Sequence, residues 1–230
     1  MCQYSSDYGH ATDWHLVDIG GFATRGAGGI NMEATAVIAP LKRIVDFADT
    51  QAAKVGIQLA HAGRKLSTLA TWVKSSVDRT RHVDTSVAFA NEGGWPDNVF
   101  GPVNVPWSKG FPTLKEMTEG DLQYVGDAFI AATKRSISAG CEDKRGCKLV
   151  PFAEAVKKAH PDIVVGAVGM ITTPQQANDI LAEGKADLVS RARELLRDPQ
   201  FVLRAANELG VAVKPAVQYK RAWPGVLARM

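Results

Sequence analysis

Short apolar runs alternate with helix-period stretches at both ends of the chain. That alternation constrains the fold more than any other feature, because strands joined by helical crossovers lie parallel in one sheet. Ile30 to Val37 reads as a buried strand, and Ile38 to Lys54 follows as an amphipathic helix with Leu41, Ile44, Val45 and Ala48 on one face. Val55 to Leu59 is a second strand, completing a βαβ unit whose handedness is all but fixed. Pro151 at a first-turn position opens a helix through Lys158. Ile163 to Val168 is a β-branched strand, Pro174 to Glu183 a helix closed by Gly184, Asp187 to Ser190 a strand, and Asp198 to Leu209 a helix closed by Gly210.

Between these halves the pattern lapses. Ala62 to Lys115 is rich in Gly, Pro, Ser and Asn without a sustained period, and reads as a long excursion with room for a short hairpin. Thr118 with Asp121 marks a helix start, and Leu122, Val125, Phe129, Ile130 and Ile137 supply the apolar stripe of a helix stopping at Gly140. Cys141 to Lys148 reads as a short charged connector.

With 230 residues, 46% hydrophobic and 22% charged, the chain can bury one sizeable core, and a single domain is expected. Its net charge of +3 is spread rather than gathered, which argues against nucleic acid or an anionic membrane as partner. The three cysteines, Cys2, Cys141 and Cys147, match no disulfide or zinc framework; Cys141 and Cys147 lack the further ligands of a tetrahedral site, so no metal is expected. A reducing, cytoplasmic setting follows from that usage, and the polar N-terminus argues against an export signal.

Chemistry concentrates where strands end. In Val165–Ile171 a glycine, Gly169, sits at a strand-to-helix junction where backbone N–H groups can approach an anion. Ser190–Glu194 repeats that position with Arg191 and Arg193, and the loops after the last two strands of an eight-fold barrel form the common phosphate site. Tight-turn glycines with solvated arginines would give the same pattern. Gln58 ends a strand and offers a donor and an acceptor, as an imide-like edge of a flat heterocycle requires; a satisfied core glutamine is the plainer reading. Cys2 could tune a redox group and Tyr4 could donate a proton, although both stand where termini fray. Tyr219 and Trp223 make the tail apolar enough for a subunit contact or for packing on the same chain.

Taken together, Met1–Ser5, Thr12–His15, Glu33–Val37, Gln58–Lys65, Val168–Ile171 and Arg193–Pro199 resemble the old yellow enzyme family, in particular its thermophilic-like class with fungal members. The resemblance covers residues 1 to about 140 and 150 to 223. It implies a TIM (β/α)8 barrel holding FMN at its C-terminal face, reduced by NADPH and reoxidised by an α,β-unsaturated carbonyl compound, an ene-reductase activity. By the same resemblance Cys2 adjusts the flavin and Tyr4 stands over the substrate, Ala34 and Gln58 contact the flavin ring, and Gly169 and Arg193 hold phosphate. Arg197, Tyr219 and Trp223 resemble parts that reach a neighbouring subunit, which implies a homodimer or larger homo-oligomer.

The chain departs from that pattern in specific places. No first strand precedes Met1, and the Gly-rich extension after Val37 is missing. At Cys141–Lys148 a deletion junction replaces the units around strands four to six, so the barrel is expected to be incomplete. The absent stretch would carry the His-x-x-His or His-x-x-Asn pair that binds the substrate carbonyl. Arg191 and Ala192 stand where an apolar residue and a glycine are usual, and Asp18 where a histidine is common. The implied functions are therefore an FMN-dependent ene-reductase or a catalytically impaired relative that binds flavin or phosphate, or oligomerises.

Overall fold

The computed structural model describes residues 3–32, 38–73, 87–141, 146–148, 150–162, 164–219, 221–224 and 226. They fall into two compact units, one of residues 1–58 with 133–230 and one of residues 59–132.

The first unit is built from βαβ crossovers. Strand β1 (Gly29–Met32) pairs parallel with β2 (Lys54–Ile57), in register Gly29↔Lys54 to Met32↔Ile57, and helix α2 (Ile38–Thr50) connects them. Leu41, Ile44, Val45 and Ala48 are buried on one face of α2, as their spacing requires. The helix stops earlier than Lys54 because the chain turns at Ala52, with φ of 59°, and Lys54 already belongs to β2. The expected strand over Ile30–Val37 is seen from Gly29 to Met32; residues 33–37 lie outside the described residues.

Helix α1 (Asp13–Thr24) was not legible as a helix. Its buried stripe is His15, Ile19, Gly20 and Ala23, two of them small residues, with Trp14 and Val17 exposed. Gly20 is small for a reason: a Cβ there would stand 2.7 Å from the Phe47 ring of α2. Omitting that atom lets the two helices pack.

The C-terminal half carries a three-stranded parallel sheet in the order β5 (Gly146–Lys148), β6 (Gly166–Val168), β7 (Leu188–Ser190). Helices α4 (Val150–Ala159) and α5 (Pro174–Ala182) make the crossovers. The expected charged connector over 141–148 is thus corrected at Gly146–Lys148, which extends the sheet by pairing Gly146↔Gly166 to Lys148↔Val168. Ala153, Val165, Ala167, Ile171, Ile180 and Ala186 bury together between sheet and helices.

The expected helix from Asp198 to Leu209 is also corrected. The chain forms α6 (Arg193–Arg197) and then α7 (Phe201–Leu209), and Pro199 lies in the break. Asp198 organises the restart, accepting from Gln200 N–H at 3.1 Å and from Arg204 at 3.0 and 2.8 Å. Leu203 and Ala206 of α7 bury against Val226, with Val213 and Trp223 packed on them.

In the second unit the excursion is held by a backbone knot rather than by long strands. Ser67, with φ of 59°, donates its hydroxyl to the Ala88 carbonyl at 2.6 Å and accepts Trp95 N–H at 2.9 Å. Gly94 closes the knot, since a Cβ there would stand 2.1 Å from the Ala88 oxygen. Strands β3 (Phe100–Gly101) and β4 (Lys115–Glu116) pair parallel, not as a hairpin, and among the described residues of this unit the antiparallel pairing is the single Thr68↔Val87 bridge. Helix α3 (Glu119–Ser138) follows, opened by Thr118 and Asp121 in reciprocal hydrogen bonds.

Asp187 fastens the amino ends of β6 and β7. Its carboxylate accepts Val165 N–H at 2.8 Å and pairs with Lys157 at 2.9 Å, and these two partners, the backbone N–H first, hold its pKa below the ordinary carboxylate value. A depressed folded-state pKa contributes stability that is complete above the unfolded value and is lost as pH falls through the folded one. Asp187→Asn is therefore expected to lower the unfolding free energy near neutrality, with the difference shrinking away towards about pH 2–3. Urea denaturation of both proteins across pH checks this; a difference that does not change with pH would contradict it.

Candidate functional site

The parallel register brings two of the expected residues to one mouth. Val168 pairs with Ser190, so the chain leaves β6 at Gly169 and β7 at Arg191 side by side at the carboxyl ends. Gly169 takes φ of 112° and Met170 φ of 56°, turning the backbone sharply out of β6. Such a left-handed turn at a strand end is where glycine is needed and where backbone can approach a ligand closely.

Side chains then fix the turn. Gln176 donates to the Met170 carbonyl at 3.1 Å and accepts Thr172 N–H at 3.0 Å, bracketing the loop from above α5. Thr173 caps the same helix by accepting Gln176 N–H at 3.1 Å. From the neighbouring strand, Arg191 Nε donates to the Ile171 carbonyl at 2.9 Å. Gln176 had not been singled out from the sequence, although Thr173-Pro174-Gln175-Gln176 carries the spacing of a capping box just after a strand-end glycine.

Three arginines gather around α6, in different states. Arg191 is 5% exposed along its side chain, lies with its guanidinium 3.3 Å from the centre of the Phe201 ring, and has two buried nitrogens without hydrogen-bond partners. Its nearest acid, Glu194, is 3.9 Å away, and burial lowers its pKa. Arg197 is exposed and pairs with Glu194 at 3.3 Å. Arg193 is exposed and makes no ion pair among the described residues.

Gln58 stands at the equivalent end of the other sheet. Its N–H donates to the Met32 carbonyl at 2.8 Å, extending the β1–β2 ladder, and its side chain is exposed, so it is not a satisfied core glutamine. Ala34 and Cys2 lie outside the described residues. Tyr4 is 45% exposed with φ of 50°. The segment around it is not frayed: Gln3 donates to Asp18 at 2.7 Å and accepts the Trp14 indole N–H, and Thr12 Oγ1 donates to the Ser5 carbonyl at 2.9 Å.

The tail packs on its own unit. Ala216 N–H donates to the Thr24 carbonyl at 2.8 Å, Arg25 lies 5.6 Å from the Tyr219 ring centre, and Trp223 covers Leu203 and Ala206. Cys141 is buried and its thiol pKa is pushed up by that burial. No helix among the described residues is long and apolar enough to cross a membrane.

A glycine turn and a guanidinium without an ion-pair partner among the described residues stand at the carboxyl ends of β6 and β7, and an exposed amide at that of β2, the ends at which α/β proteins place ligand sites. Comparison with known proteins points to a family. Residues 149–211, from the middle of the C-terminal sheet to just past α7, match the NADH:flavin oxidoreductase / NADH oxidase family. An NADH:flavin oxidoreductase of Gibberella zeae is 40% identical over 159 residues, 61% of this chain and 36% of that protein. NADPH dehydrogenases of Geobacillus sp. (strain WCH70) and Geobacillus thermodenitrificans are 29% and 25% identical, each over 97% of this chain and 92% of the relative. The chain is similar to this family over residues 149–211 and to these flavin and NADPH-dependent relatives.

The chain thus spans about a third of the fungal relative. The two Geobacillus alignments run over 322 and 342 positions against 230 residues here, so each relative carries long stretches without a counterpart in this chain. A solved 2-naphthoyl-CoA reductase, bound to 2-naphthoyl-CoA, shares the fold at TM-score 0.63 and 12% identity, over 87% of this chain and 47% of its own. The expected α/β barrel class agrees with that likeness, while the described strands form sheets of two, two and three.

Arg191 offers a direct check on how this mouth is packed. A guanidinium with two orphaned nitrogens against Phe201 costs more than an apolar side chain of similar length would. Arg191→Leu is expected to raise the unfolding free energy by about 1–4 kcal/mol, read from two-state urea denaturation. A loss of stability instead would mean that these nitrogens have a partner.

Proposed function

We propose that this chain is an FMN-dependent oxidoreductase that takes reducing equivalents from NADPH and delivers them to an activated C=C bond of an α,β-unsaturated carbonyl compound. The observation that carries the reading is the β6–β7 mouth, where the Gly169 turn lies beside a strand end that leads to Arg193, exposed and without an acidic partner. The family match over residues 149–211 and the names of the Geobacillus relatives support flavin and NADPH as the redox pair.

The residues present fit FMN. A glycine turn and an unpaired guanidinium suit a dianionic phosphate, and the exposed Gln58 amide suits the imide-like edge of the ring. FMN held there would supply two-electron redox chemistry, with NADPH as the hydride donor and the β-carbon of the alkene as the acceptor. Gly169 and Arg193 would anchor the phosphate, Gln58 would orient the ring and Tyr4 would stand on the substrate side, while Ala34 at the ring and Cys2 as the adjuster of its electronics are roles that the resemblance implies for residues outside the described ones. A proton taken from solvent or a side chain completes the α-carbon, so NADPH and one proton are consumed for each alkene reduced.

The incomplete barrel belongs to the same proposal, supported by alignments longer than the chain. So does a homo-oligomer in which Arg197, Tyr219 and Trp223 approach a neighbouring subunit; the exposed Arg197 side chain, 68% accessible, leaves room for it. A second reading, a relative that binds FMN without turning substrate over, is favoured by one observation: none of the five histidines has a His or Asn three residues later.

Binding separates the parts of the site. Wild-type protein is expected to quench FMN fluorescence on binding, and Arg193→Ala to weaken FMN about tenfold or more while leaving riboflavin, which lacks the phosphate, nearly unchanged. Equal losses for both flavins would remove Arg193 from the phosphate site, and no flavin binding by the wild type would end the proposal. NADPH oxidation dependent on cyclohexenone distinguishes the first reading from the second.

A further inference from the structure

We propose that Asp18, acting through the Gln3 amide, is a positioning residue that holds Tyr4 in a left-handed backbone conformation toward the carboxyl end of β1. That Tyr4 so held serves the substrate rests on the oxidoreductase function proposed above. Tyr4 takes φ of 50°, a region that a bulky L residue enters only when its surroundings impose it, and such imposed strain gathers at functional sites. The residues on either side of Tyr4 impose it here.

Gln3 is held by two one-way partners. Its Nε2 donates to the Asp18 carboxylate at 2.7 Å, and its Oε1 accepts the Trp14 indole N–H. A carboxylate only accepts and an indole only donates, so the amide can stand just one way round. Trp14 and Asp18 are four residues apart on α1 and therefore neighbours on one face, which lets a single side chain bridge them. On the other side of Tyr4, Ser5 Oγ donates to the Gln3 carbonyl at 2.9 Å, and the Ser5 carbonyl accepts Thr12 Oγ1 at 2.9 Å. The turn from Asp7 to His10, closed by backbone bonds of 3.1 and 2.7 Å, brings the chain back so that the second of these can form. Thr12 is itself fixed, its N–H donating at 3.0 Å to Nδ1 of the buried His15. Tyr4 thus lies between two anchors on the same helix.

The helix sets those anchors at the mouth. After residues 25–28 the chain turns back from α1 into β1, which packs against it, so the first turns of α1 lie toward the carboxyl end of that strand. The Asp13–Arg43 ion pair at 2.6 Å joins the start of α1 to the first half of α2, which also begins at that end. Gln58 extends the β1–β2 ladder there. Of the two partners of Gln3 the carboxylate is the stronger, because a charged acceptor roughly doubles the worth of a hydrogen bond. Asp18 also stands where the resembled family commonly has a histidine, which can donate or accept and so would not dictate the orientation of the amide.

Tyrosine-selective isotope labelling and NMR of the full-length protein test this, since with four tyrosines the Tyr4 signal is assigned by its loss in Tyr4→Phe. A positive φ brings a residue's own amide and α protons close, so wild-type Tyr4 is expected to show a strong intraresidue NOE. Asp18→Ala and Gln3→Ala are expected to weaken it, and Asp18→Asn, whose amide oxygen still accepts from Gln3, to keep it. With FMN bound, Asp18→Ala is expected to lower kcat for cyclohexenone about tenfold or more while FMN affinity stays nearly unchanged, and Asp18→Asn to retain wild-type turnover. An NOE indifferent to Asp18→Ala, turnover unaltered by it, or an Asp18→Asn variant that behaves like Asp18→Ala would each overturn the proposal. A wild type that binds no flavin or turns nothing over would instead end the oxidoreductase reading, and the NOE alone would then decide whether Asp18 holds Tyr4.

Discussion

Parallel strand pairing is the constraint on which this chain's chemistry depends. Because Val168 lies opposite Ser190, and Met32 opposite Ile57, successive strands end together and release the chain at the same end of each sheet. An antiparallel arrangement would scatter Gly169 and Arg193 to opposite edges. With parallel register the chain leaves β6 at Gly169 and β7 at Arg191 side by side, and loops there can vary while the strands stay fixed.

The two ends of the C-terminal sheet divide the work. At the amino end, Asp187 ties Val165 and Lys157 together and satisfies backbone that would otherwise lack a partner. At the carboxyl end the bonds shape a loop instead: Gln176 and Arg191 spend their donors on the Met170 and Ile171 carbonyls. That pattern holds the Gly169 turn from outside and leaves Arg193 uncommitted. Rigid support beside an exposed cation suits the phosphate site proposed for this mouth, because the loop need not be ordered at the moment of binding.

Much of this was legible in the sequence wherever burial follows a single period. Leu41, Ile44, Val45 and Ala48 were readable as one face of a helix because nothing but the core decides their identity. Helix α1 was not, since its buried face is made of a histidine, an isoleucine and small residues chosen for the close approach of Phe47, and Gly20-Gly21 argues locally against a helix. Strand β5 was hidden for a related reason: a three-residue strand in a charged stretch has no period to show, and only pairing with β6 makes it one. Gln58 and Gly169 could be found because they end strands, whereas the tie from Gln3 to Asp18 and Trp14 joins residues whose proximity only the fold creates.

Arg191 is where local and global preferences conflict most plainly. Its position follows the partly exposed strand β7 and precedes a helix that packs through Phe201, which is buried against its guanidinium. The guanidinium meets one carbonyl, one aromatic face and an acid too distant for a good hydrogen bond, leaving two nitrogens unsatisfied. A protein whose stability is the small difference of large terms does not carry such a group without consequence. The Nε bond to Ile171 shows what is gained: it fixes the loop that follows Gly169, so the same residue that weakens the packing of α7 stiffens the turn at the mouth. Stability and site geometry are therefore coupled through one side chain, and changes at Arg191 act on both at once.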